Sequence, residues 1–244
     1  GADRPRIVEA ARVYDQITVT DYLAGNFLGG LSSVLRGLNL AERSGQPVEI
    51  ARLSANFANA LAYVPMPRLA ERYLERSMRY ARDVKDDPST LLWTLTASGM
   101  VYIGLGHWEQ ARAALLEAVE IADRLKDRVR VQDNVRFLAM SFSFQGEFAR
   151  AAQMYDDMHT LARRAGDRMA QAYALNGMAE AFLPQGKSSD ACAALENAAE
   201  HIFSSDVTIA RNATIWCYGL RTLAYRRERR PDLAADSAVH LETL

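Results

Sequence analysis

The chain has 244 residues, 49% of them hydrophobic and 24% charged, with 29 Lys and Arg against 30 Asp and Glu for a net charge of -1. Such a balance argues against nucleic acid or an acidic membrane surface as an obligatory partner, because both recruit basic proteins. No apolar run approaches the ~20 residues of a membrane span. No signal peptide opens the sequence, and the two cysteines, Cys192 and Cys217, make no disulfide framework, which points to a reduced cytoplasmic compartment.

From the amino terminus, Gly1-Ala2 ahead of Asp3 reads as a designed start, so a piece of a larger protein is expected. The first turn signal is Gly25-Asn26-Phe27-Leu28-Gly29-Gly30, a glycine followed by an aromatic and then a small residue. Ala41-Glu42-Arg43-Ser44-Gly45-Gln46 ends the helix that follows. At the next turn, Pro65-Met66-Pro67-Arg68-Leu69-Ala70, proline replaces glycine; proline fits the first position of a helix, where its missing N–H costs little.

The centre of the chain is the most regular part. Asp87-Pro88 opens a helix over 89–105, with Leu91, Leu92, Leu95, Ser98, Gly99 and Tyr102 at helical spacing. After Gly106, a second helix over 108–125 puts Ala111, Leu115, Ala118, Ala122 and Leu125 on one face. Leu138, Ala139 and Phe142, then Phe148, Ala151, Tyr155, Met158 and Leu161, repeat the scheme around Gly146. Leu175, Met178, Ala179 and Phe182, then Ala191, Leu195 and Ala198, repeat it around Gly186. A sixth turn falls at Arg230-Pro231, and the chain stops at Leu244 inside a helical pattern.

Gly106, Gly146 and Gly186 are 40 residues apart. A period of roughly 20–50 residues means stacked supersecondary units that bury their faces only against neighbours. The expected fold is an all-α solenoid of about six antiparallel hairpins, a right-handed superhelix forming one domain over 1–244, with turns near 25, 65, 106, 146, 186 and 230.

Sites of chemistry are few. Ala181 to Ser188, ending Gly186-Lys187-Ser188, matches a relaxed phosphate-loop pattern, but a helix precedes it where a strand is required and Pro184 removes a backbone donor, so it reads as a turn. His107, His159, His201 and His240 are scattered without metal-ligand spacing. No nucleophile elbow or catalytic carboxylate pair appears, so no catalytic residue, metal or cofactor is assigned. The basic run Arg226-Arg227-Glu228-Arg229-Arg230 closes a predicted helix, where positive charge complements the dipole.

Gly99, Tyr102, Gly106, Trp108, Ala111, Leu115 and Ala118 resemble the tetratricopeptide (TPR) signature, stretched from the usual ~34 residues to about 40. Long repeats of this kind look like those that follow the ATPase module in large bacterial signalling proteins. Two groups are similar: class III adenylate/guanylate cyclases fused to an ATPase and a TPR tail, and STAND regulators of the maltose-activator type. Ser33 to Gly45 and Leu69 to Ala81 look closest to the cyclase tails.

The resemblance implies a non-catalytic sensor or interaction module. Its partner would be a protein or peptide, including the parent's own ATPase or cyclase domain, with a small effector as a further candidate. The alternative is a free-standing peptide receptor of the quorum-sensing type or the effector domain of a transcription regulator. The resemblance also implies that the first helix of each hairpin lines a concave groove. The ligand-facing positions would be Arg52, Asn59, Trp93, Met100, Arg136, Met140, Tyr173, Asn176 and Glu180, with Arg12, Asp15, Thr96 and Asp133 beside them. Trp93 and the methionines have an alternative use, packing between neighbouring units.

Overall fold

Paired helices joined by tight turns account for the chain. A computed structural model describes residues 3–62, 64, 66–203 and 207–242. Among these residues there are twelve α-helices and no strand: α1 (Arg4–Leu23), α2 (Phe27–Ser44), α3 (Pro47–Ala62), α4 (Pro67–Asp83), α5 (Pro88–Leu105), α6 (Trp108–Arg124), α7 (Arg128–Phe144), α8 (Phe148–Ala165), α9 (Arg168–Phe182), α10 (Ser188–Phe203), α11 (Val207–Arg227) and α12 (Pro231–Glu242). The all-α, TPR-like hairpin array is thus the observed fold. Four of the five expected turns from 25 to 186 lie where the glycines place them; Pro65 lies outside the described residues, between α3 and α4.

The local code is simple. Asp87 caps α5 by accepting from the backbone N–H groups of Ser89 (3.1 Å) and Thr90 (3.3 Å), and Pro88 takes the first helical position. Trp108 and Phe148 are the first residues of α6 and α8. Ala111, Ala151 and Ala191, three residues further along, are fully buried where each second helix meets its partner. Gly146 closes the α7–α8 turn at φ +80°, in the left-handed region, with open space where a Cβ would stand. The same backbone shape recurs between hairpins at Gly166 (φ +70°), and Lys126 takes its place one repeat earlier at φ +56°.

The chain forms two compact units, Gly1–Asn134 and Val135–Leu244, the boundary falling within α7. In the first unit, Val34, Leu38, Leu53, Leu61 and Leu74 make one apolar cluster. Leu92, Leu95, Ala118 and Ile121 make another. In the second unit, Phe142, Tyr155 and Met158 pack with Ala174, and Leu175, Leu195 and Ile202 pack with Cys217 and Tyr225. Two positions expected on the apolar face lie outside it. Leu161 is exposed because the core stripe of α8 runs from Met158 to Ala162, four residues on. Leu125 is exposed because α6 ends at Arg124.

Gly146 and Lys126 yield opposite predictions. Gly146→Ala places a Cβ in the left-handed region and is expected to cost about 1 kcal/mol. Lys126→Gly relieves that strain and is expected to gain up to about 1 kcal/mol, less the entropy glycine adds to the unfolded chain. Urea unfolding midpoints of the two variants, measured against the unaltered chain, check both signs.

Candidate functional site

The first helices of successive hairpins are joined by polar side chains, and the register of those contacts is regular. In the first unit, the carboxylate of Asp15 on α1 is buried and accepts from Arg52 Nε (2.9 Å) and Asn56 Nδ2 (2.6 Å) on α3. Asn56 Oδ1 in turn accepts from the Trp93 indole on α5 (3.0 Å). The Arg52 guanidinium lies 4.8 Å from the centroid of the Trp93 ring, and the Arg130 guanidinium of α7 lies 5.0 Å from it. Thr96 Oγ1 is 3.0 Å from Asn134 Oδ1, and Asn134 Nδ2 donates to the Arg130 carbonyl (2.8 Å). Beside this ladder, Arg12 Nε donates to the buried Glu49 carboxylate (2.8 Å).

The ladder follows from the repeat. Asp15 to Arg52 and Asn56 to Trp93 each span 37 residues, and Asp15 to Asn56 spans 41. These values bracket the 40-residue period and differ from each other by about one helical turn, so one side chain meets two successive turns of the neighbouring helix. A cleft of about 230 Å³ opens between α1 and α3, lined by Arg12, Asp15, Gln16, Glu49 and Arg52.

The second unit carries a related set. Arg136 on α7 lies 4.5 Å from the Phe137 ring and 4.8 Å from the Tyr173 ring on α9. Asn176 Nδ2 donates to the Ala213 carbonyl on α11 (3.0 Å), again 37 residues away. Glu180, one turn further along α9, has its pKa raised by burial, against the lowering effect of a hydrogen bond from Trp216. Tyr155 is fully buried and its hydroxyl has no hydrogen-bond partner among the described residues; burial pushes the phenol pKa up, with Glu180 adding to the rise. Its ring occupies the space Gly177 leaves: a Cβ there would come within 2.4 Å of the Tyr155 ring.

Of the positions assigned to a groove, Arg52 and Trp93 are half-buried members of the first ladder, and Arg136 meets Tyr173 in the second unit, with Glu180 two turns further along α9. Asn59, Met100 and Met140 are half-buried. Asn176 is different. It is fully buried, so its role is to join α9 to α11 and it has no surface to offer a ligand. The sequence does not mark Asn56, Arg130, Asn134 or Trp216 as site residues, although the first three have polar or aromatic partners 37 or 38 residues earlier or later in the chain.

Chemistry elsewhere is muted. The Gly186-Lys187-Ser188 stretch follows α9 and a short 3-10 turn through Pro184, with Gly186 capping at φ +74° and the Lys187 ammonium 5.6 Å from the Phe182 ring. That is a turn, without the strand a phosphate loop needs. Burial pushes the Cys217 thiol up to about 12, which leaves no thiolate at neutral pH. Among the described residues no group of His, Cys, Asp or Glu is arranged to hold a metal ion, and no helix is long and apolar enough to cross a membrane.

Neither the protein-family models nor the curated proteins contain a match to the sequence. Solved structures do match. BtubC from P. vanneervenii superposes with a TM-score of 0.67 at 16% identity, over 87% of this chain and 88% of that one. A tetratricopeptide repeat protein from Parabacteroides merdae gives 0.54 at 13%, over 96% and 93%. A signal transduction ATPase with numerous domains (STAND) carrying a TPR sensor, from Pyrococcus horikoshii, gives 0.63 at 12%, over 97% of this chain and 37% of that one. The fold is the TPR-type α-solenoid. At these identities the likeness speaks for the fold alone.

Burial of Glu180 sets a pH dependence. A carboxyl whose folded pKa lies above its ordinary value of 4.5 binds its proton more tightly in the folded chain. Its ionisation therefore removes stability as pH rises from about 4.5 through the folded pKa. Glu180→Gln, which cannot ionise, is expected to compare better with the unaltered chain at pH 7.5 than at pH 4. Urea midpoints at the two pH values check the sign.

Proposed function

We propose that this chain is a non-catalytic interaction or sensor module of a bacterial, cytoplasmic signalling protein, an ATPase or nucleotide cyclase of which it is one part. It binds a partner domain, a peptide or a small effector along the faces of its first helices and passes the result to the catalytic part. The observation that carries this reading is the arrangement of Arg136 and Tyr173. Two first helices bring together a guanidinium and an aromatic ring, both half-exposed, with the Glu180 carboxyl one turn beyond a buried helix-joining amide. Stacked rings supply contact area at low entropy cost, and guanidinium donors fix a carboxylate or a peptide carbonyl.

The sensor of the Pyrococcus horikoshii STAND protein, with its similar fold, supports the placement in a multidomain ATPase. Coupling follows if the ligand prefers one spacing of the first helices over another, since only a differential affinity shifts a conformational equilibrium.

The test is a calorimetric titration against the ATPase or cyclase module encoded in the same reading frame. The unaltered chain is expected to bind, and Arg136→Ala/Tyr173→Ala to bind at least about tenfold more weakly, the loss of about 1.4 kcal/mol. Equal affinities would remove the first-helix face of the second unit from the account.

A further inference from the structure

The first helix of the array exposes residues whose counterparts on later first helices are buried or, for Met178, half-buried. Counted back from the hairpin turns, Val13 on α1 corresponds to Leu53 on α3, Thr94 on α5 and Ala174 on α9. Val13 is 53% exposed, whereas the other three are 0% exposed. Ile17 corresponds to Phe57 and Ser98; it is 40% exposed, against 7% and 2%. Leu28 and Leu35 on α2 are exposed too, but so are Arg68 and Glu75, which stand at the same places on α4.

What covers these positions elsewhere is the second helix of the preceding hairpin. Gly37 on α2 approaches Leu53 so closely that a Cβ there would come 2.9 Å from Leu53 Cδ2. Ser77 on α4 holds Thr94 through their hydroxyls (3.0 Å). In the second unit, Tyr155 and Met158 of α8 pack in one cluster with Ala174. At the α2–α3 and α8–α9 joints a large residue on one side therefore meets a small one on the other. Val13 and Ile17 are on the large side, as Leu53 is.

We propose that this face of α1 is a docking site for a further helical hairpin of the same repeat type, whose second helix lies on Val13 and Ile17 as α2 lies on Leu53. The occupant is an amphipathic helix with Gly or Ala at the crossing point, flanked by aliphatic residues as Val34 and Leu38 flank Gly37. The proposal rests on the repeat register and is independent of the ligand reading above.

A duplicate of residues 4–46 fused directly ahead of Asp3 supplies such a hairpin to the otherwise intact chain. The fusion is expected to raise the thermal midpoint by about 5 °C and to slow amide hydrogen exchange along the original α1. Val13→Ser/Ile17→Ser in the original α1 should abolish both gains, while shifting the midpoint of the unfused chain by only about 1 °C, as for an exposed pair. No gain on fusion, or a gain that survives the double substitution, would overturn the proposal. So would light scattering that finds the unfused chain dimeric and the substituted chain monomeric, because the occupant would then be a second copy.

Discussion

A buried carboxylate dictates how the first two hairpins stack. Asp15 on α1 is nearly shielded from water, and among the described residues it accepts from donors on α3, Arg52 Nε and Asn56 Nδ2. Burying an unpaired carboxylate costs several kcal/mol, so α1 and α3 must meet in the register that delivers both donors. Asn56 then spends its oxygen on Trp93, which carries the same constraint to α5. Apolar packing brings the helices together; this polar chain selects which sliding position they adopt.

The ladder and the apolar joints divide the labour. Small residues such as Gly37 and Gly177 let helices approach until Leu53 or Tyr155 fills the gap, a non-directional gain that tolerates small shifts. Hydrogen bonds of 2.6–3.0 Å between Asp15, Asn56 and Trp93 tolerate little. Half-buried side chains stand at the surface beside the joints, Arg52 and Trp93 in the first unit and Arg136 in the second. A ligand touching them would act on the contacts that fix helix spacing, which is how a binding event along the first helices could alter the stacking itself.

Much of the fold is legible in the sequence because its cues are local. Gly106, Gly146 and Gly186 mark turns through a backbone shape that other residues reach only with strain, and Ala111, Ala151 and Ala191 mark close approach by their size. Leu161 misleads because a spacing of three, continued too long, drifts off the 3.6-residue stripe, which Ala162 keeps. The site is less legible. Asn176 has the same residue type and helix position as a ligand-facing amide, yet its partner is the Ala213 carbonyl on the next first helix. Asp15 and Asn56 find each other across 41 residues, and no local pattern announces such a pair. Tyr155 belongs to a second helix, and only the missing side chain of Gly177 lets its ring lie against α9.

The claim that the polar ladder couples consecutive hairpins is tested most directly by a double-mutant cycle between Asp15 and Asn56. Urea unfolding of Asp15→Ala, Asn56→Ala and the double variant, against the unaltered chain, isolates their interaction. The account predicts a favourable coupling of at least about 1 kcal/mol, in the range of hydrogen bonds to charged groups. Strictly additive losses, with a coupling indistinguishable from zero, would contradict it.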